Sequence, residues 1–193
     1  MTQILSWLKP LLGAFILITL LQVTGLMGSV SSYAQSALLK TGVRNAKAKT
    51  LKNAETFDFN FTIRDLNGKR VPFEKYKGKV IFLNLWATWC GPCRGEMPTI
   101  QSLYEKVDTS AVKFVILSID RDSDEAKVGK FVSQYNYTLP IYRPSGYLTK
   151  QLDVDYIPTT LIISKEGKIV SKEIGGTNFD TAKFRKYLLS LTQ

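Results

Sequence analysis

Histidine is absent from all 193 residues, and cysteine occurs only twice, at Cys90 and Cys93. The first absence removes a Cys–His nucleophile pair and leaves too few ligands for a tetrahedral zinc site. It also removes a c-type haem attachment, which needs histidine directly after the second cysteine; Arg94 stands there. The second scarcity excludes a scaffold stapled by several disulfides. Aspartate and glutamate are missing before Glu55, although the chain carries 16 of them against 26 lysines and arginines. The net charge of +10 is therefore unevenly spread: Lys40, Arg44, Lys47, Lys49 and Lys52 crowd one short segment. No basic face with interleaved aromatics stands out in the rest, so no nucleic-acid partner is expected. No metal or cofactor is expected either. Internal repeats and low-complexity tracts are also lacking.

Long apolar runs are not lacking. Residues 10–30 hold no charge and are rich in Leu, Ile, Phe, Val and Gly. That length suffices to span a bilayer, as a permanent anchor or as a signal cleaved after Ala34 at Ser32-Tyr33-Ala34. The expected organisation is a membrane anchor or signal over 1–34, a basic linker over 35–55 and a folded domain over 56–193. The linker reads as a solvated tether with weak helical character at 46–54, or as a contact for anionic headgroups.

In the domain, Phe57–Ile63 alternates apolar and polar residues and reads as a half-buried strand. Asn67-Gly68 signals a hairpin into a short return strand at 70–73, placed at an edge by Pro72. Val80–Trp86 reads as a buried central strand, residues 93–106 as a helix and Val112–Ile119 as a second core strand. Asp120, Asp122, Asp124 and Glu125 do not fit a calcium loop, which needs Gly and Glu where Glu125 and Phe131 stand. Asp122 and Glu125 have the spacing of a capping box for a helix to Tyr135. A strand enters through Pro158, Glu166-Gly167 turns it into another strand, and Thr177–Asp180 caps a last helix to Leu191. Strands alternating with helices imply a mixed α/β sheet covered on both faces.

The two cysteines form Cys-x-x-Cys where a strand hands over to a helix. A helix N-terminus carries unpaired N–H groups and partial positive charge, and both stabilise a thiolate. Cys90 is therefore expected to be the attacking thiol with its sulfur exposed, and Cys93, one turn on, the resolving one. Pro92 suits the first helical turn, where its missing N–H costs nothing.

Trp89-Cys90-Gly91-Pro92-Cys93 resembles the thioredoxin motif, and the longer string Asn84–Pro98 resembles the TlpA/ResA branch of thiol–disulfide oxidoreductases. The resemblance covers about residues 53–193 and includes Ile157-Pro158-Thr159-Thr160. It implies a thioredoxin fold with an N-terminal hairpin extension and a cis peptide before Pro158. It implies an enzyme acting on protein disulfides outside the cytoplasm, supplied with electrons by a membrane thiol carrier. Thioredoxins place a buried Asp where Asn84 stands; the branch places a functional Glu at Glu96, which becomes the expected acid/base group. Trp89, Gly91, Pro92, Ile157, Pro158 and Thr159 become the expected substrate contacts, with Ile157 and Thr159 offering backbone groups. Gly91-Pro92 resembles reducing members, so a reductase is expected. Two rivals remain: a peroxidase, disfavoured because Leu83 and Ala87 replace the Pro and Thr it requires, and a Cu(I) chaperone using both thiolates.

Overall fold

The computed structural model describes the backbone of residues 2–23 and 26–193 and the side chains of 9–20, 30 and 33–193. Two helices lead, α1 (Thr2–Val23) and α2 (Leu26–Lys40). Among the described residues, no helix is long and apolar enough to cross a membrane. The apolar run 10–30 reaches into side chains outside the described residues, and so does Ser32 of the expected cleavage site. Within α1, Leu11, Leu12, Phe15, Ile16 and Leu17 are exposed.

Seven strands then build one sheet in the order β2-β1-β5-β4-β3-β6-β7. They are β1 (Thr62–Asp65), β2 (Arg70–Pro72), β3 (Val80–Trp86), β4 (Val112–Ser118), β5 (Ile141–Pro144), β6 (Thr159–Ile163) and β7 (Ile169–Ile174). Helices α3 (Gly91–Lys106) and α4 (Glu125–Gln134) follow β3 and β4, and α5 (Ala182–Ser190) closes the chain. The sheet is mixed: β3 pairs parallel with β4 and antiparallel with β6. The Asn67-Gly68 hairpin forms, with Gly68 at φ +80°, and β2 lies at the edge as Pro72 indicates. This is the thioredoxin-like arrangement.

β3 explains how the core is divided. Successive side chains of a strand point to opposite faces. Ile81, Leu83 and Leu85 join Phe57, Phe61 and Phe73 on one face. Val80, Phe82 and Trp86 join Met97, Ile100, Phe179 and Phe184 on the other. All seven residues of β3 are buried, and each large apolar side chain contributes roughly 1.5–3 kcal/mol. Asn84 shares the parity of Phe82 and Trp86, so it faces α3. Along α3 the buried residues Cys93, Glu96, Met97, Ile100 and Leu103 recur at helical spacing.

Four local expectations are corrected. Residues 57–61 form no strand: Phe57, Phe59 and Phe61 are buried, but the Phe57 N–H donates to Gly167 O and the Phe61 N–H to Phe59 O, so no ladder develops. The capping box at 122–125 does not close; residues 122–124 make a 3-10 turn without a side-chain cap, because Asp122 accepts from Arg64 and Arg143 instead. Thr181, not the 177–180 stretch, caps α5, accepting from the Phe184 N–H. The basic segment is neither helical at 46–54 nor a free tether. The Ala46 N–H donates to Asn178 O, the Leu51 N–H to Val170 O, and Arg44 to Ile174 O at 2.7 Å.

Candidate active site

β3 ends at Trp86, and a short turn delivers Cys90 to the start of α3. The Cys90 N–H donates to Ala87 O at 3.2 Å, and Cys90 is the N-cap of the helix. Its Sγ receives the Cys93 N–H at 3.2 Å. A cap normally uses an oxygen acceptor; here sulfur takes that place, which aims a helix-terminal N–H at the Cys90 sulfur. Cys90 and Cys93 are joined in a disulfide, Cα–Cα 5.3 Å. Pro92 lies in the first turn.

Cys90 is only 6% exposed and Cys93 not at all, which corrects the expectation of an open Cys90 sulfur. Part of the cover is local. The Ile157–Pro158 peptide is cis, and the Ile157 carbonyl oxygen lies 3.7 Å from Cys90 Sγ. Next to it, α2 packs along α3 and brings Gln35 Nε2 to 3.7 Å from the position a Cβ would take on Gly91. Trp89, directly before Cys90, is 67% exposed, while Trp86 is core. Thr159 departs from expectation. It is buried, lies opposite Leu85 on one side and Ile174 on the other, and its hydroxyl donates to Tyr156 O. Its backbone belongs to the sheet, which leaves Ile157 as the residue of that pair facing the sulfur.

Glu96 lies one turn beyond Cys93 and is 1% exposed. Oε1 accepts from Asn84 Nδ2 at 2.8 Å and Oε2 from the Thr177 N–H at 3.0 Å. Asn84 also donates to Thr160 Oγ1 at 2.8 Å. Burial disfavours the carboxylate and outweighs the two hydrogen bonds and the positive charge of Arg44, so the Glu96 pKa is pushed up from 4.5 to about 8. A buried carboxyl that titrates near neutrality under a dithiol can hold or release one proton at working pH. Asn84 and Glu96 were visible in the sequence. Thr160 and Thr177 were not assigned to the site, because their contacts join positions 76 and 81 residues away. Among the described residues, no group of three metal-ligating side chains occurs.

Comparison with known proteins is consistent with this geometry. The Redoxin profile matches residues 48–188, about three quarters of the chain. The chain belongs to the Redoxin family. Within the family it is similar to the thiol–disulfide oxidoreductase ResA of Bacillus thuringiensis subsp. konkukian (strain 97-27). The two are 37% identical over 134 residues, covering 69% of this chain and 75% of that one. A ResA of Bacillus cereus is 40% identical over 117 residues, 60% of this chain and 66% of that protein. The chain thus matches about two thirds to three quarters of the length of these relatives. Among solved structures, a putative thiol:disulfide interchange protein DsbE from Chlorobium tepidum superposes with a TM-score of 0.60 at 23% identity, covering 73% of this chain and all of that one. StoA from Bacillus subtilis gives 0.53 at 24%, covering 75% and 99%. These two likenesses establish the fold. The family and the ResA relatives establish an oxidoreductase, so the ResA resemblance read from Asn84–Pro98 is borne out.

Proposed function

We propose that the protein is a disulfide reductase acting on protein disulfides outside the cytoplasm, with Cys90 attacking and Cys93 resolving. The observation that carries this reading is the Cys90 sulfur set as the cap of α3, with a helix N–H on it and the Ile157 carbonyl beside it. In the reduced enzyme the Cys90 thiolate attacks one sulfur of a substrate disulfide. A mixed disulfide forms and the other substrate sulfur leaves as thiolate. Cys93 then attacks Cys90 Sγ, the substrate leaves with both sulfurs reduced, and the enzyme is left as the Cys90–Cys93 disulfide. A dithiol donor, on this reading a membrane thiol carrier, returns two electrons for the next turnover. Glu96 takes the Cys93 proton before that attack and gives it back on reduction. Its raised pKa and its place one turn from Cys93 support the role. Trp89, Gly91, Pro92, Ile157 and Pro158 form the rim met by an extended substrate.

Residues 1–34 are the membrane anchor or export signal, 35–55 connect, and 56–193 form the redox domain. The exposed apolar side chains of α1 support the membrane segment. Insulin reduction by the dithiol form tests the activity, and the potential tests the direction. A value nearer roughly −270 mV than roughly −120 mV is expected. No disulfide reduction would sink the reading, and a potential above about −180 mV would reverse the direction. Cys93→Ser should trap the substrate as a mixed disulfide on Cys90.

A further inference from the structure

The acidic cluster after β4 is split by the fold. Asp122 and Glu125 turn to Arg64 and Arg143, and Asp124 to Lys127. Asp120 alone turns inward, 5% exposed, where burying a carboxylate is costly unless its oxygens are satisfied. They are satisfied by the turn that carries Cys90. Oδ2 accepts from the Thr88 N–H at 2.9 Å, Oδ1 from the Thr88 hydroxyl at 2.6 Å, and Ser118 Oγ adds a bond to Oδ2 at 2.7 Å. Beside this clamp the Ile119 N–H donates to Trp86 O at 2.8 Å. Behind it lies Arg143 of β5, wholly buried, donating to Asp120 O at 3.3 Å and Arg121 O at 2.8 Å.

We propose that Asp120 is a positioning residue for Cys90, acting through Thr88. The inference rests on Cys90 being the attacking thiol. Thr88 is the second residue of the Ala87–Cys90 turn, and both of its local donors end on one carboxylate. With Thr88 fixed, the turn cannot rotate, and the Cys90 sulfur stays in line with the Cys93 N–H that stabilises its thiolate. The charged group that contacts this turn is Asp120, with the Arg143 guanidinium on the Asp120 carbonyl behind it; on α3, Arg94 turns to Tyr135 and Phe131, and Glu96 to Asn84 and Thr177.

The test is the pH profile of Cys90 alkylation by iodoacetamide in the reduced full-length protein, for wild type, Asp120→Asn and Thr88→Val. Asn presents an N–H₂ to a donor of Thr88 and breaks one side of the clamp. Val keeps the carboxylate and its charge but removes the hydroxyl. Both variants should shift the profile to higher pH, with alkylation at pH 6 slowed on the order of tenfold in Asp120→Asn and less in Thr88→Val. A shift to lower pH in Asp120→Asn with none in Thr88→Val would mean that Asp120 acts only as a nearby charge, and would overturn the proposal. Lower melting temperatures with unmoved profiles would make the clamp purely structural and overturn it equally. If Asp120→Asn does not fold, the Thr88→Val profile decides. Wild-type Cys90 that shows no alkylation at any pH would instead overturn the reading of Cys90 as attacking thiol.

Discussion

On one side of β3, Ile81, Leu83 and Leu85 meet phenylalanines and other apolar side chains. On the other, between Phe82 and Trp86, Asn84 meets Glu96, and Glu96 meets a backbone N–H from the far end of the chain. Both sides are equally buried, yet among the described residues only on this one does a carboxyl meet a side chain of β3. Replacing a polar pair with apolar residues of similar volume is often neutral or stabilising. The polar inset under the two cysteines is therefore poorly explained by stability, whereas apolar packing accounts for the opposite face.

The contrast can be broken by substitution on each side. Leu83→Ala removes a fully buried side chain from the dry face and should cost about 2–5 kcal/mol in denaturant unfolding. It should leave the pH profile of thiol reactivity where it was; a moved profile would show that the two faces are not independent. Glu96→Gln should slow disulfide reduction by roughly 10²-fold and erase any titration near pH 8 from the profile. It has a second signature. The folded protein holds the Glu96 proton more tightly than the unfolded chain, so wild-type stability falls as pH rises from 4.5 to about 8. Melting curves of the oxidised protein should show that fall, and Glu96→Gln should flatten it. An unchanged thiol profile in Glu96→Gln would remove the acid/base role. Thr160→Val is the mildest change. It deletes one acceptor of Asn84 and should cost about 1 kcal/mol, with a smaller shift in the profile than Glu96→Gln.

How much of this was legible in the sequence depended on how local each signal is. β3 and α3 are written in runs of neighbouring residues, and so are the Asn67-Gly68 and Glu166-Gly167 turns, where Gly68 and Gly167 take positive φ. Residues 57–61 alternate like a strand, but alternation reports which side is buried, not whether a partner strand is present. Asp122 and Glu125 have the spacing of a capping box, but spacing carries no information about Arg64 and Arg143, which win Asp122. The basic segment looked solvated because its charges dominate its composition. Its docking combines backbone hydrogen bonds of Ala46 and Leu51 with the Arg44 side chain on Ile174 O, and composition is blind to which partners they meet. In the site, Cys90, Cys93 and Glu96 were read from one motif and its resemblance. That resemblance also supplied the cis peptide before Pro158, which no residue pattern specifies. The Thr88–Asp120 clamp escaped because it joins residues 32 apart through a side chain grouped with its acidic neighbours.

The bond from the Thr177 N–H to Glu96 also has a meaning in time. A chain emerging from the ribosome presents both cysteines and the glutamate long before Thr177. Until β7 has formed and the chain has turned past Gly176, the carboxyl lacks one of its two partners. A nascent or truncated protein that stops short of Thr177 thus owns its dithiol without a settled acid beneath it, and the site is completed only 81 residues after Glu96 has been made.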